Sequence, residues 1–257
     1  MIFAYYLLNI IQAIAEFLPI SSSGHLVITT WMYDISEQGL EAFLHLPTTI
    51  AILIVFFTTF LSILKSPKLW PLLIAAAVPA GVIGLLFGDA IDAIFYSPLV
   101  VAINQIFWGG ILWHTAVNYH KHQGTTKNDW KELHWVQALK IGLWQVLALI
   151  PGTSRSGITT LGGIWNNLSP AQSAAFSFIS GFPLIAAASL LGLVKLLRDS
   201  STVTMLPPFV LVSGMLLSLG LGILFMKLFT SKHTLTVMKL SGFYRIILGT
   251  FILIWLT

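Results

Sequence analysis

Long apolar stretches separated by short polar connections dominate the chain. A helix needs about 20 predominantly apolar residues to cross the hydrocarbon core of a bilayer. Six stretches meet this requirement, and we predict a transmembrane helix in each of them: 42–64, 70–88, 99–117, 173–194, 206–226 and 240–256. The pattern therefore predicts an all-α polytopic membrane protein.

Two further apolar regions are interrupted by polar residues. Region 1–30 contains Pro19 followed by the run Ser21–His25, and region 136–165 contains Pro151 followed by the run Thr153–Gly157. Each pattern is typical of a half-helix, a polar break and a second half-helix. Irregular backbone at membrane depth is tolerated only where protein or a watery cavity satisfies its polar groups. We therefore predict two re-entrant helical hairpins in addition to the six spans.

Composition agrees with a single integral membrane domain over 1–257. Hydrophobic residues make up 56% of the 257 residues and charged residues only 9%, whereas soluble domains carry about 25% charged residues. This difference excludes an ordinary soluble enzyme and a disordered chain. The net charge of +4 comes from dispersed Lys and Arg, so we predict no nucleic-acid partner. Cysteine is absent, which excludes disulfides and thiolate chemistry.

The charges of the connections predict an orientation. Loops 31–41 and 89–98 carry acids but no Lys or Arg, whereas the other connections are rich in Lys. Lys-rich connections face the cytoplasm, and the alternation holds if both hairpins return to their own side. Lys195 and Arg198 are the exception to this arrangement. The connections assigned to the cytoplasm carry Lys65 and Lys68, then Lys121, Lys127 and Lys131, and then Lys227, Lys232 and Lys239.

The two interrupted regions also resemble each other. The second half-helix begins with the run Ser21–Gly24 in one and with Ser154–Gly157 in the other, and three predicted spans follow each. This is the pattern of an inverted-topology repeat, with repeat 1 at about 1–117, a cytoplasmic loop at about 118–135 and repeat 2 at about 136–257. Such repeats place their site near the midplane, at the discontinuous helices.

The first break carries three kinds of candidate chemistry. Gln12 and Glu16 are four residues apart and share one helix face, and an acid inside the membrane is a functional candidate by default. Ser21, Ser22 and Ser23 stand at a helix start, where free N–H groups suit phosphate. His25 is suited to proton transfer near neutral pH. The alternatives are an interfacial glutamate, a plain serine cap and a structural histidine.

The second break carries a cation. Arg155 lies inside an apolar hairpin between Ser154 and Ser156, and Thr159 follows on the same helix face. Arginine binds phosphate through two parallel hydrogen bonds and stays charged when buried. The alternative is an arginine whose head group reaches the membrane interface. If the hairpins meet, Glu16 becomes the counter-ion of Arg155, and the whole set suits hydrolysis of a phosphate ester or diphosphate.

These residues resemble a known family. The run from Gln12 to His25 resembles the first signature of the undecaprenyl-diphosphate phosphatase family of the bacitracin-resistance type, and the run from Pro151 to Thr159 resembles its second. Segments 78–87, 176–178 and 244–249 are also similar to family segments. The resemblance covers essentially the whole chain, and the two signatures together are highly specific.

The resemblance implies an acid anhydride hydrolase of the bacterial inner (cytoplasmic) membrane. Such an enzyme converts undecaprenyl diphosphate to undecaprenyl phosphate and inorganic phosphate, which recycles the lipid carrier for peptidoglycan and confers bacitracin resistance. The resemblance also implies six spans with two re-entrant hairpins, a site that opens to the outer or periplasmic side, and a divalent metal, Mg²⁺ or Ca²⁺. The partners are the polyprenyl diphosphate lipid and the bilayer, and a homodimer is also considered.

The family's site residues carry over by position. Glu16 would hold the metal or orient a base, and Arg155 would clamp the diphosphate. Either Ser22 or His25 would attack the terminal phosphorus, or His25 would activate the attacker. Three departures from the family pattern are Gln12, where many members have an acid, Pro47, where glycine is expected, and Ala175, where a basic residue is common. The implied catalytic residues are Glu16, Ser22, His25 and Arg155, and the implied substrate-binding residues are Gln12, Ser21, Ser23, Ser154, Ser156 and Thr159.

A transporter is the competing interpretation. Inverted repeats with broken helices are typical of secondary transporters, and a flippase of polyprenyl phosphate lipids could use Glu16 and Arg155 to bind a head group. The adjacent Ser22 and His25 favour the enzyme, because a protein that only binds a head group needs no nucleophile.

Overall fold

The regular structure of the protein is helical. The computed structural model describes residues 2–33, 41–119, 126–198 and 206–256, and a single bridge between Lys127 and Leu168 is the only extended pairing within them. Eleven α-helices lie in these ranges: α1 Ile2–Phe17, α2 Ser22–Tyr33, α3 Glu41–Val55, α4 Phe57–Leu64, α5 Trp70–Phe95, α6 Pro98–Asn118, α7 Trp135–Val146, α8 Arg155–Trp165, α9 Pro170–Arg198, α10 Pro208–Phe229 and α11 Thr234–Leu256. Acids predicted for the first outer loop, such as Asp34 and Glu37, lie outside the described residues.

Five of these helices are long and apolar enough to cross a membrane: α5, α6, α9, α10 and α11. Helices α3 and α4 meet the same test only as a pair, and they are bent by 72° at their junction. The described residues thus contain five candidate spans, or six if the bent pair counts as one. This confirms the prediction of an all-α multi-pass membrane protein.

Three predicted spans differ from the structure: 42–64 is bent, 70–88 is too short, and 240–256 starts too late, because α11 begins at Thr234. We expected one straight helix over 42–64, but Phe56 leaves the helical conformation with φ −106° and ψ 20°. No proline or glycine marks this position, so local sequence gave no signal. We also expected the span 70–88 to end at a loop, but α5 continues to Phe95 and includes Asp89 and Asp92. Its continuation is rich in good helix formers such as alanine.

Both interrupted regions have the predicted form of a helix, a break and a second helix. In the first region α1 ends at Phe17 and α2 begins at Ser22. In the second region α7 leads into a short 3-10 turn over Leu147–Leu149, and α8 begins at Arg155. The helices before the breaks, α1 and α7, are apolar but too short to cross a bilayer alone.

The helix that precedes each break packs against a long helix of the other half of the chain. Helix α1 packs against α10, and α7 packs against α5. Helices α6 and α11 are in close contact, since a Cβ built on Gly242 would lie 2.6 Å from the carbonyl oxygen of Gly109. They run antiparallel, because a Cβ built on the later Gly249 would lie 2.6 Å from the carbonyl oxygen of the earlier Ala102. Large apolar side chains, among them Phe17 and Phe178, fill the interior beside the two breaks.

Candidate active site

The two breaks have the same local geometry. Ser21 and Ser154 both have φ of 74°, a left-handed conformation that is unusual for a residue other than glycine. The Oγ atom of Ser21 accepts a hydrogen bond from Gly24 N at 3.2 Å, and that of Ser154 accepts one from Gly157 N at 3.3 Å. Each serine therefore caps the helix that follows it. For Ser21 we considered such a cap as the alternative to phosphate binding, and for Ser154 we predicted no cap.

The two breaks also touch each other. A Cβ built on Gly24 would lie 3.2 Å from Gly152 Cα, and one built on Gly157 would lie 3.2 Å from Pro19 Cβ. Ser156 Oγ donates to the carbonyl oxygen of Leu18 at 3.3 Å. The N-termini of α2 and α8 therefore lie side by side, where their free N–H groups favour an anion.

An ion pair joins the two breaks. Arg155 Nη2 donates to Glu16 Oε1 at 2.8 Å, and the two side chains are only 14% and 9% exposed. The other carboxylate oxygen, Oε2, accepts from Ser22 Oγ at 2.7 Å and from Gln12 Nε2 at 3.3 Å. Glu16 is thus the predicted counter-ion of Arg155, and it also accepts from the hydroxyl of Ser22, one of the candidate nucleophiles.

A cavity of about 260 Å³ opens beside this ion pair. Its apolar part includes Ala80, Leu149 and Leu184. Most of the predicted site residues line it, and they come from both breaks. The polar lining is Glu16, Ser21, Ser22, Ser23, His45, Gln145, Ser154, Arg155 and Ser156.

Two predicted substrate-binding residues lie outside the cavity lining and support it from behind. Gln12 is buried and donates to Glu16 from one helical turn away. The hydroxyl of Thr159 donates to the carbonyl oxygen of Arg155 at 2.6 Å and also contacts the hydroxyl of Ser177. Arg155 Nη1 donates to the carbonyl oxygen of Ser177 at 3.1 Å. These contacts hold the carboxylate and the guanidinium in place.

His25 points elsewhere. Its Nδ1 lies 2.7 Å from the carbonyl oxygen of Ser21, and its Nε2 lies 2.7 Å from the hydroxyl of Tyr244, whose ring stacks on the imidazole. A carbonyl only accepts hydrogen bonds, so Nδ1 carries the proton and Nε2 accepts from Tyr244. Both ring nitrogens are therefore engaged, and His25 is not among the residues that line the cavity.

Sequence reasoning missed two residues of this region as functional candidates. His45 of α3 lines the cavity and contacts Gln12. Its position inside a predicted span was the available signal, since ionisable groups at membrane depth are candidates by default. Arg245 of α11 is fully buried and is the other missed residue. Sequence placed it only within a segment similar to the family.

Arg245 forms hydrogen bonds to the backbone of both breaks. Its guanidinium donates to the carbonyl oxygens of Pro19 and Thr153, both at 3.1 Å, of Asn104 at 3.3 Å and of Gly152 at 2.5 Å. The carbonyls of Pro19, Gly152 and Thr153 lie where the chain leaves helical geometry, so the helices themselves leave them without partners. Arg245 therefore satisfies backbone groups of both breaks at once.

Helix α6 contributes amide side chains to the same task. Asn104 Nδ2 donates to the carbonyl oxygen of Pro151 at 2.9 Å, and Gln105 Nε2 donates to that of Ile20 at 3.0 Å. Polar side chains of α6 and α11 thus replace the hydrogen bonds that regular helix would have made.

The donor set fits a divalent cation only in part. No group of three or more His, Asp or Glu side chains that could hold a metal lies within the described part of the chain. The cavity wall supplies one carboxylate, Glu16, and the hydroxyl of Ser22. Mg²⁺ is often held by one or two carboxylates together with substrate phosphates. A cation here would therefore need a phosphorylated ligand to complete its coordination.

Fold and cavity together define a class, a multi-pass helical membrane protein with a carboxylate–guanidinium pair between two broken helices. Residues 5–251 match the family described as bacitracin resistance protein BacA. The chain therefore belongs to this family.

Similar proteins include three undecaprenyl-diphosphatases. The protein of Elusimicrobium minutum is 37% identical over 96% of this chain and 95% of its own length. The protein of Acetivibrio thermocellus is 34% identical over 96% and 95% of the two chains. The protein of Enterococcus faecalis is 32% identical over 96% and 94%.

Proposed function

We propose that this protein is an undecaprenyl-diphosphate phosphatase. It hydrolyses undecaprenyl diphosphate to undecaprenyl phosphate and inorganic phosphate, and so recycles the lipid carrier for peptidoglycan and confers bacitracin resistance. The family and the names of the relatives support this activity. The observation that carries it is the carboxylate of Glu16, which accepts from the hydroxyl of Ser22 and pairs with Arg155 on the wall of one cavity.

The diphosphate is held by positive groups from both breaks. Arg155 and the N-terminal N–H groups of α2 and α8 bind the phosphate oxygens and offset the charge that develops during transfer. Because these groups are fixed before the substrate arrives, they need little reorganisation during the reaction. Apolar residues such as Leu149 and Leu184, on the same cavity wall, suit the first part of a prenyl chain.

Ser22 is the proposed nucleophile. Its Oγ attacks the terminal phosphorus while its proton passes to Glu16, and the bond from that phosphorus to the bridging oxygen breaks, releasing undecaprenyl phosphate. Water then attacks the phosphoserine, inorganic phosphate leaves, and the serine oxygen recovers a proton. His25 holds the carbonyl of Ser21, and it therefore positions the neighbouring serine instead of entering the cavity.

A divalent cation, Mg²⁺ or Ca²⁺, is part of the proposal. Glu16 would hold it together with phosphate oxygens of the substrate, and it would neutralise negative charge on the diphosphate. Gln12 would then orient the carboxylate through its hydrogen bond to Oε2.

The proposed membrane arrangement is an inverted repeat with two re-entrant hairpins, α1–α2 and α7–α8, and six spans. The exchanged pairs α1 with α10 and α7 with α5 are the contacts expected of two halves related by a two-fold axis. The left-handed conformation of both Ser21 and Ser154 supports the same two-fold relation between the halves. The homodimer considered from the sequence stays a prediction.

The proposed location is the bacterial inner membrane, with the site open to the outer side. Ile63 and Leu72, on either side of the loop that carries Lys65 and Lys68, pack in one cluster with Trp130. This loop therefore lies on the same side of the protein as the connection that carries Lys131. The antiparallel pairing of α6 with α11 puts the end of α6 near the start of α11, beside Lys232. Lysine-rich connections on one side support a cytoplasmic assignment for that side.

Phosphate release from undecaprenyl diphosphate in detergent tests the function. Wild type is compared with Arg155→Ala, Ser22→Ala and the exposed control Lys140→Ala, each with and without EDTA. We expect release by wild type and by the control, and almost none by the two site variants. Loss of release with EDTA supports the cation. A folded wild type that binds the lipid but releases no phosphate would refute the enzyme and favour a lipid transporter.

A further inference from the structure

The imidazole of His45 lies on the cavity wall contributed by α3, which carries none of the residues given a role in the proposed reaction. Its Nδ1 is 3.1 Å from Nε2 of Gln12. Nε2 of the imidazole has no hydrogen-bond partner among the described residues. The backbone beside it is fixed, because Thr48 and Thr49 both donate to the carbonyl oxygen of His45.

The surroundings of Gln12 determine which of its amide atoms faces the histidine. The carboxylate of Glu16 is paired with Arg155, so it is ionised and can only accept hydrogen bonds. The amide atom of Gln12 that lies 3.3 Å from Glu16 Oε2 must therefore be the nitrogen. The same nitrogen is the atom nearest to His45, and its second hydrogen is available to the imidazole.

This orientation determines the tautomer of His45. A nitrogen that donates to Nδ1 requires a lone pair there, so the ring proton of the neutral imidazole resides on Nε2. The only unsatisfied polar atom of the ring is then a hydrogen-bond donor at the cavity wall. Gln12, which lies behind Glu16, is a positioning residue for this donor.

We propose that His45 is a further substrate-binding residue, which donates a hydrogen bond from Nε2–H to a phosphate oxygen of the diphosphate. The inference rests on the proposed function for the chemistry of its ligand. Arg155 and the two helix N-termini bind the diphosphate from the side of the breaks, and His45 adds a neutral donor from α3. A neutral donor contributes to binding without a further buried charge, which would carry a large desolvation cost.

Binding of a non-hydrolysable prenyl diphosphonate, measured by titration calorimetry in detergent, tests this proposal without requiring turnover. We expect His45→Ala to weaken binding about 10- to 100-fold, the range of a hydrogen bond to a charged group. His45→Gln keeps a donor and should recover most of the affinity. The control His114→Ala changes an exposed histidine of α6 outside the cavity, and it should bind like wild type.

A second measurement reads the tautomer directly. Nitrogen NMR of protein with ¹⁵N-labelled histidine assigns His45 by the signal that disappears in His45→Gln. We expect a protonated Nε2 and an unprotonated Nδ1 in wild type, and a mixture of tautomers in Gln12→Leu.

The two proposals fail in different ways. Wild-type affinity in His45→Ala, or a proton on Nδ1 in wild type, would overturn the role of His45 even if phosphate release is normal. Binding that depends on His45 in a wild type that releases no phosphate would support the role of His45 and refute the phosphatase.

Discussion

Replacing Arg245 with methionine tests the strongest structural claim about the site. The guanidinium is fully buried and donates to carbonyl oxygens of Pro19, Asn104, Gly152 and Thr153. Methionine fills much of the same volume but has no donor. The substitution therefore leaves buried carbonyls of both breaks without partners and changes little else in the packing.

The magnitude follows from the number of acceptors that lose a partner. A buried acceptor without a partner costs roughly 1–3 kcal/mol, so the three carbonyls at the breaks, those of Pro19, Gly152 and Thr153, together cost at least about 3 kcal/mol. Removing a buried charge recovers part of this through its desolvation term. We therefore expect a net loss of about 2–4 kcal/mol, or a melting temperature lower by roughly 5–15 °C for a chain of this size.

Thermal unfolding in detergent, followed by tryptophan fluorescence, measures the shift. Lys140→Met is the matched control, since it removes an exposed cation from α7 and should change stability by less than about 0.5 kcal/mol. Arg245→Lys keeps the charge but concentrates its donors on one atom, so we expect a melting temperature between those of wild type and Arg245→Met. If Arg245→Met has the same melting temperature as wild type, other groups hold the backbone of the breaks and the argument fails.

Three further predictions use matched substitutions. A Cβ at position 142 would lie 2.5 Å from the carbonyl oxygen of Ala75, so Gly142→Ala should lower the melting temperature, whereas Gly110→Ala, with open space around it, should leave it equal or raise it. A methyl group at position 181 would overlap the guanidinium of Arg155; Gly181→Ala should therefore slow phosphate release at least 10-fold in a folded protein, and normal release would contradict the positioning of Arg155. Ser154→Ala places alanine in a left-handed backbone conformation and removes the cap, whereas glycine tolerates that conformation. Thermal unfolding followed by circular dichroism should therefore give a lower melting temperature for Ser154→Ala than for Ser154→Gly.

The spans and breaks were predictable because their causes are local. Apolar length alone identified the candidate spans, and a proline followed by Ser-x-Ser-Gly identified both breaks. Two errors have equally physical causes. No helix breaker in the sequence marks the bend at Phe56. Asp89 and Asp92 led us to predict a loop after residue 88, although the alanines beside them are good helix formers and α5 continues to Phe95. Helix direction there depends on what packs against it, which local sequence does not record.

The site was only partly predictable because its contacts join distant parts of the chain. Glu16 and Arg155 were selected as single ionisable groups in apolar surroundings, and their pairing required only that the breaks meet. Arg245 contacts a carbonyl 226 residues away, and its partners are backbone atoms, which leave no signature in side-chain patterns. The orientation of His25 away from the cavity depends likewise on Tyr244, which lies 219 residues away.

Two nearly identical turns produce one asymmetric site. Ser21 and Ser154 have the same backbone angle and the same capping bond, so each break places its next residue at the same point of a helix N-terminus. In one half that residue is Ser22, and in the other it is Arg155. A serine that loses a proton and an arginine that attracts phosphate are complementary, and neither could perform the role of the other. The repeated backbone fixes the geometry, and the difference between these two side chains supplies the chemistry.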